Sequence, residues 1–107
     1  MRGKRTNISK AKVDLVLVAA RYERDTGRLV FARGYARTGQ VWTDIKLFDR
    51  ASLVADLEKG QKVVTGRNSE LSGDFEDLSP VYFGPEQQLL AGGESEHDGD
   101  DLKLPIL

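Results

Sequence analysis

Aromatic and cationic side chains alternate along one segment of the chain, in a pattern suited to nucleic acid. Phe31, Arg33, Tyr35 and Arg37 stand at every second position, and the residues between them are small and uncharged. Successive side chains of a β-strand point to opposite faces, so a strand here places two rings and two guanidinium groups on one face. A core would not hold both arginines, because an unpaired buried charge is costly. Bases stack on rings while cations contact phosphates, which predicts single-stranded nucleic acid as the ligand.

The next segment, 41–48, extends this pattern. Its alternation predicts an inward set of Val41, Thr43, Ile45 and Leu47 and an outward set of Trp42, Asp44, Lys46 and Phe48. For Phe48, the alternative is a position under the helix that follows. A register shift of one residue would instead bury Trp42, and the arginines could pair with acids on a neighbouring strand. The predicted nucleic-acid-binding residues are the rings of Phe31, Tyr35 and Trp42, the phosphate contacts Arg33, Arg37, Lys46 and Arg67, and the further candidates Arg21, Arg24 and Arg28 around the first turn.

Short strands joined by tight turns are expected to position these residues. A helix is predicted over 51–58, because Leu53, Val54 and Leu57 share one helical face and Gly60 can end it. The order of elements predicts an all-β fold, a five-stranded barrel with one short helix between strands 3 and 4, since closure removes exposed edges. The predicted strands are 13–24, 28–37, 41–48, 61–67 and 75–83.

The segment 45–67 resembles the middle of OB-fold nucleic-acid-binding domains. In those domains a third strand ends in an aromatic residue, and a short helix, a Lys-Gly-x-x-Val turn and a fourth strand ending in glycine plus a basic residue follow. The corresponding features here are Phe48, Lys59-Gly60, Val63-Val64 and Gly66-Arg67. The resemblance spans 13–83 and implies an OB-fold-like barrel that binds single-stranded nucleic acid, DNA more readily than RNA, without catalysis.

Charge is divided unevenly along the chain. Residues 1–67 hold fifteen Lys or Arg and seven acids, whereas residues 68–107 hold one Lys and ten acids, which gives net charges of +8 and −9. Such asymmetry favours a polyanion-binding body with an acidic tail, although a solvated surface is the alternative. The predicted organisation is a basic disordered arm at 1–12, the barrel at 13–83 and a flexible acidic tail at 84–107.

The tail is similar to that of bacterial single-stranded DNA-binding proteins, in which acids precede a short apolar tip that docks partners of replication and repair. Lys103 interrupts the acids here, which departs from that pattern. The resemblance implies a protein partner at the tail, and a merely solubilising tail is the alternative. The opposite charges of the two parts of the chain suggest that the tail competes with DNA, so that deleting 94–107 should tighten DNA binding at low salt. The predicted partner-binding residues are Asp100, Asp101, Pro105, Ile106 and Leu107.

Several classes of function are disfavoured by residue types. The chain has no cysteine and one histidine, His97, so a thiolate or multi-histidine metal site and a Ser-His-Asp triad are not expected. No phosphate-binding loop motif, membrane-spanning run or secretory signal is found. We therefore expect an intracellular, cytoplasmic, non-catalytic protein without a cofactor or metal. The alternative function is a protein–protein interaction subunit of a larger complex, and the sequence leaves the oligomeric state open.

Overall fold

The computed structural model describes residues 13–38, 41–68, 75–92 and 99–107. They form seven strands, one α-helix and one short 3₁₀ turn. In chain order these are β1 Leu15–Tyr22, β2 Leu29–Thr38, β3 Val41–Trp42, β4 Lys46–Asp49, α1 Arg50–Glu58, β5 Val63–Asn68, β6 Phe75–Phe83, the turn Pro85–Gln87 and β7 Leu89–Ala91.

The strands form a single mixed sheet. Its order is β3-β2-β1-β5-β6-β7, and β4 pairs with β2 on the same side as β3. β1 and β5 run parallel, with Leu15 opposite Val63, and all other strand pairs are antiparallel. The mostly-β content with one α-helix is confirmed. The predicted five-stranded OB-fold-like barrel is wrong, because the sheet is open and mixed.

The physical reason for this error lies in strand pairing. Hydrophobic alternation specifies which side chains face a core, but it does not specify which edge of β1 the returning strand joins, or in which direction. After α1, the chain returns as β5 parallel to β1. The backbone N–H groups of Asp14 and Leu15 donate to the Lys62 carbonyl at 2.8 and 3.1 Å, which fixes the start of this parallel pair.

The predicted third strand is divided in two. At the break, the Ala36 N–H donates to the Thr43 hydroxyl at 3.1 Å, so a side chain takes the place of a backbone acceptor. The chain rejoins β2 at Lys46, which lies opposite Gly34, and Leu47 lies opposite Arg33. The alternation predicted for 41–48 is therefore reversed in β4: Leu47 is exposed and Phe48 packs against the main core.

The main core lies on the face of the sheet that α1 covers. Leu53 of the helix is fully buried there, against Leu17, Leu29 and Ala32 of the first two strands. Asp49 caps the start of the helix, and its carboxylate accepts a hydrogen bond from the Ser52 N–H at 2.8 Å. The helix ends at Glu58, and two residues later the chain turns away at Gly60, whose φ of +88° only glycine adopts readily. No helix in the described ranges is long and apolar enough to cross a membrane.

The C-terminal segment, residues 99–107, packs along two strands of the sheet. The Asp101 N–H donates to the Leu89 carbonyl of β7 at 2.9 Å, and the Ala20 N–H of β1 donates to the Pro105 carbonyl at 3.0 Å. Leu102 lies between these points and is 1% exposed. The described parts of the predicted flexible tail, residues 84–92 and 99–107, thus lie against the sheet, whereas the predicted arm at 1–12 is outside the described residues.

Candidate nucleic-acid interface

A second, smaller core lies on the other face of the sheet and carries the predicted aromatic residues. Val13, Val16 and Val64 are buried there, and Val18, Trp42, Phe75 and Leu78 pack against them. We call this side of the sheet the aromatic face. Its aromatic and cationic members on the first three strands and β6 are Arg21, Phe31, Arg33, Tyr35, Arg37, Trp42 and Phe75.

β2 places its alternating residues on the aromatic face as the sequence predicts. Phe31 lies opposite Arg21 of β1, and Arg33 and Tyr35 follow at two-residue spacing. The residues between them, Ala32 and Ala36, pack toward the main core. Gly34 is required between the two strands, because a Cβ at this position would collide with the Val16 carbonyl. The two rings and two arginines of β2 therefore share one face.

The aromatic rings pack against one another rather than standing free. The Phe75 ring centroid lies 5.3 Å from that of Tyr35 and 5.2 Å from that of Trp42, the latter edge to face at 85°. Phe31, Tyr35 and Trp42 are each half-buried. Trp42 is thus neither a fully exposed stacking surface nor part of the main core, but a partial cover of the smaller core.

Arg37 is fixed beside Trp42. Its guanidinium carbon lies 4.8 Å from the Trp42 ring centroid, and its Nε donates to the Val13 carbonyl at 3.0 Å. This cation–π contact and hydrogen bond hold both side chains in place. Arg37 therefore positions the Trp42 ring, in addition to carrying the positive charge for which it is predicted as a phosphate contact.

The remaining predicted cations fall into two groups. Arg21, Arg33, Arg24 and Arg28 are exposed, and within the described ranges none of the four forms an ion pair. Arg67 differs, because its guanidinium pairs with Glu76 at 3.0 Å and with Asp77 at 2.8 Å. Two carboxylates thus balance the charge of Arg67. The four exposed arginines on β1, β2 and the turn between them have no such partner among the described residues, so they can bind an anion.

Lys46 does not join this group. It alternates with Leu47 along β4, and Leu47 lies opposite Arg33 of the aromatic face. Lys46 consequently shares the side of Phe48, which packs on the main core near α1. The sequence placed Lys46 beside Trp42, and the structure separates them because the break at Thr43 changes the phase of the strand.

Hydrogen bonds within the first turn hold the Glu23 carboxylate. The Glu23 carboxylate accepts a hydrogen bond from the Thr26 N–H at 2.9 Å, and hydrogen bonding to Thr26 lowers the pKa of Glu23. Gly27, with φ +73°, closes the turn, and its N–H donates to the Glu23 carbonyl at 2.8 Å. Arg24 and Arg28 are left exposed on either side of this turn.

The predicted partner-binding residues have different environments. Asp100 is deeply buried, and its carboxylate accepts hydrogen bonds from Arg50 Nε at 2.8 Å, the Leu29 N–H at 2.6 Å and the Leu89 N–H at 2.9 Å. Burial alone would raise the pKa of Asp100, but the Arg50 guanidinium and the two N–H groups outweigh it and hold this pKa below its ordinary value.

The other four tail residues lie closer to the surface. Asp101 pairs with Lys103 at 3.3 Å, and the Pro105 carbonyl and the Leu107 N–H are hydrogen-bonded to Ala20 of β1. Pro105 and Ile106 are the exposed residues of this set. The apolar tip singled out in the sequence is therefore attached to the sheet, and it presents Ile106 outward.

Two residues that matter for this site were missed in the sequence. Phe75 joins Tyr35 and Trp42, but its neighbours Glu76 and Asp77 are acids, so no alternation of rings and cations marks it in the sequence. Arg50 holds Asp100 across the fold, and nothing local in the sequence signals that pair. Among the described residues, no group of three or more His, Asp or Glu side chains is placed to hold a metal ion.

Comparison of this chain with protein families, with curated proteins and with solved structures finds no match.

Proposed function

We propose that the aromatic face binds single-stranded nucleic acid without catalysis, DNA in preference to RNA. The observation that supports this most directly is the cross-strand pair of Arg21 and Phe31, with Arg33 two residues further along β2. Both arginines are exposed, and neither has an ion-pair partner in the described part of the chain. Two cations flanking a ring offer the two contacts that a single strand needs, phosphate neutralisation and base stacking.

Each part of the aromatic face would have its own role. Arg21 and Arg33 contact successive phosphates, and a base rests on the half-buried ring of Phe31 between them. Tyr35 and Trp42 offer only their exposed parts, since both rings pack on Phe75. Contacts of this kind read no base edge, so the expected sequence preference is weak.

The distribution of charge agrees with a polyanionic ligand. Residues 1–67, which include both β1 and β2, carry a net charge of +8. A positive surface attracts nucleic acid from a distance and increases its association rate at low salt. Because bound phosphates release counterions, the affinity should fall steeply as salt rises.

The test is the binding of a fluorescein-labelled oligo(dT), followed by anisotropy at several salt concentrations. The variants Arg21→Gln and Arg33→Gln should each weaken binding and reduce the slope of log affinity against log salt by about 0.7, the value for one phosphate contact on a single strand. Arg67→Gln is the matched control, since Arg67 is already paired with Glu76 and Asp77.

The proposed function predicts that Arg67→Gln binds oligo(dT) like the wild type. Equal losses for all three arginine variants would mean that general positive charge, rather than the aromatic face, attracts the oligonucleotide. Absence of binding at low salt by the wild-type chain would contradict the proposed function itself.

A protein-interaction subunit is the second candidate function. The observation that favours it is the exposure of Val41, Ile45 and Leu47 along β3, β4 and their junction. Salt distinguishes the two candidates, because an apolar interface is little affected by salt whereas counterion release dominates binding to nucleic acid.

A further inference from the structure

An open cleft lies at the end of β1, where the aromatic face meets the first turn. Its volume is about 440 Å³, and its lining includes Arg21, Arg24, Val30 and Ile106. We call it the β1 cleft. Sites for small ligands have volumes of about 300–1,000 Å³, so the β1 cleft has room for one nucleotide. Arg21 also lies opposite Phe31 of the aromatic face, so this arginine borders both surfaces.

A β-bulge supplies one aliphatic wall of the β1 cleft. Phe31 lies opposite Arg21 and Leu29 lies opposite Tyr22, so Val30 is an extra residue in β2 within the pairing of these two strands. A bulge re-aims a side chain, and bulges are common beside binding sites. Val30 is 41% exposed, and it lines the β1 cleft together with Arg21.

The C-terminal segment supplies a second aliphatic wall. Ile106 is 69% exposed, although the backbone on both sides of it is fixed to β1. The Ala20 N–H donates to the Pro105 carbonyl at 3.0 Å, and the Leu107 N–H donates to the Ala20 carbonyl at 2.8 Å. A contact on a fixed backbone is preformed, so a flat apolar group can bind there with a small ordering cost.

The cations of the β1 cleft are suited to an anion. Arg21 and Arg24 are exposed, and neither forms an ion pair with any carboxylate in the ranges that the structure describes. Glu23 also lines the β1 cleft, but its carboxylate accepts a hydrogen bond from the Thr26 N–H within the first turn. Both guanidinium groups can therefore contact a phosphate.

We propose that the β1 cleft binds one nucleotide of the single strand that lies on the aromatic face. Its base rests between Val30 and Ile106, and Arg24 contacts its phosphate. This inference rests on the proposed function, because Arg21 joins the β1 cleft to the aromatic face. A base with its phosphate matches aliphatic walls beside two cations. The exposed tip of the C-terminal segment then belongs to the nucleic-acid-binding surface.

Binding of fluorescein-labelled oligo(dT) to the full chain tests this by anisotropy. Ile106→Glu should weaken binding by about fivefold or more, the effect of losing one base contact, because a carboxylate then stands where the base rests. Gln61→Glu adds the same charge at an exposed position beyond α1 and should bind like the wild type. Arg24→Gln should reduce the slope of log affinity against log salt by about 0.7, whereas Arg67→Gln should not change it.

Methyl NMR of the wild-type chain, labelled with ¹³C, locates the base without any substitution. A base between the two aliphatic walls shifts their methyl resonances through its ring current. Addition of oligo(dT) should therefore shift the methyl signals of Val30 and Ile106. The methyl signals of Leu57, which lies on α1 and packs against the main core, should remain unchanged.

Two results would overturn the proposal. They are equal affinities for Ile106→Glu and Gln61→Glu, and oligo(dT) binding that leaves the Ile106 methyl signals unshifted. In either case Arg21→Gln would still weaken binding, so the proposed function would survive. Absence of any binding by the wild type would contradict both together. Far-UV circular dichroism verifies that Ile106→Glu is folded, and the methyl measurement on the wild type decides the question if it is not.

Discussion

A single carboxylate joins three elements of the fold. Asp100 accepts hydrogen bonds at the start of β2, the start of β7 and the start of α1, and its side chain is 1% exposed. The sequence suggested a solvated acid instead, because Asp100 lies among glycines and other acids. The neighbouring residues in the sequence indicate only the local environment of Asp100. They give no sign of its partner Arg50, which lies fifty positions earlier.

Asp100→Asn should therefore destabilise the protein substantially. The substitution removes the charge that Arg50 and two backbone N–H groups surround, and leaves the guanidinium without its partner. Breaking a buried ion pair of this kind costs about 3 kcal/mol of unfolding free energy. Urea denaturation followed by Trp42 fluorescence measures it. Glu76→Gln, in a surface pair, is the control and should cost less than about 1 kcal/mol.

The same carboxylate gives the stability a defined pH dependence. The folded-state pKa of Asp100 lies below its ordinary value of 3.8, so the folded protein holds fewer protons than the unfolded chain. Its contribution is complete above that ordinary value and is lost as pH falls through the lower folded-state pKa. The difference in stability between wild type and Asp100→Asn should thus be constant near neutrality and shrink below about pH 4.

Other acids do not interfere with that comparison. Glu23 and Asp49 also have lowered pKa values, from hydrogen bonds with Thr26 and Ser52 respectively, but both are present in the wild type and in the variant. Their contributions therefore cancel in the difference. A difference that stays constant from neutral pH into strong acid would contradict the role assigned to the Asp100 charge.

At the scale of elements, the C-terminal segment is part of the folded sheet. Leu102 is buried in the main core, and its N–H donates to the Tyr22 hydroxyl at 2.9 Å. Burial raises the pKa of Tyr22 above its ordinary value of 10.0. The segment thus closes part of the main core and pairs with β1 and β7 along its length.

Two substitutions in this segment should have opposite outcomes. Leu102→Ala leaves a cavity in the main core and should cost about 3 kcal/mol of unfolding free energy. Ile106→Ala removes a side chain that is 69% exposed and should cost less than about 0.5 kcal/mol. Thermal or urea denaturation compares them. Similar small effects for both variants would mean that the segment is not part of the stable fold.

Deleting the acidic tail is consequently a poor test of whether the tail competes with nucleic acid for the aromatic face. Removal of 94–107 takes away Asp100 and Leu102 along with the acids, so lost packing and lost charge change together. Neutralising Asp101, which lies nearer the surface and pairs with Lys103, alters charge with less effect on the core. The hypothesis that the tail competes with nucleic acid is better tested by that substitution.

Local patterns predicted most of the elements but not their assembly. The segments that became β1, β2 and α1 were predicted within two residues of their observed ends, because strand alternation, the helical spacing of apolar residues and the turn at Gly60 are local signals. The parallel pairing of β1 with β5 and the docking of the C-terminal segment depend on contacts distant in sequence. No local pattern encodes which edges meet.

The candidate site was predicted to a similar degree. The shared face of Phe31, Arg33, Tyr35 and Arg37 follows from alternation, and the structure reproduces it. The positions of Lys46 and Phe75 could not be obtained in this way. The position of Lys46 depends on the hydrogen bond to the Thr43 side chain, at which the predicted strand is broken. The position of Phe75 depends on the approach of β6 to Trp42, which lies far from it in the sequence.

At the scale of the whole molecule, the aromatic face and the helix-covered face have different surfaces. The first combines Arg21 and Arg33 with half-buried rings, and the second carries α1 and Lys46. A ligand attracted by general positive charge would contact both faces, since cations are present on each. A single strand held by rings and cations together would contact the aromatic face alone.

Amide chemical-shift mapping of the ¹⁵N-labelled chain with oligo(dT) at low salt locates the surface that the oligonucleotide contacts. We expect shifts concentrated at residues 19–21 and 31–35 and at the Trp42 indole, with α1 and Lys46 unchanged. Raising the salt should reverse these shifts. Shifts centred on α1 and Lys46, or none at saturating oligonucleotide, would contradict the assignment of the aromatic face as a nucleic-acid-binding surface.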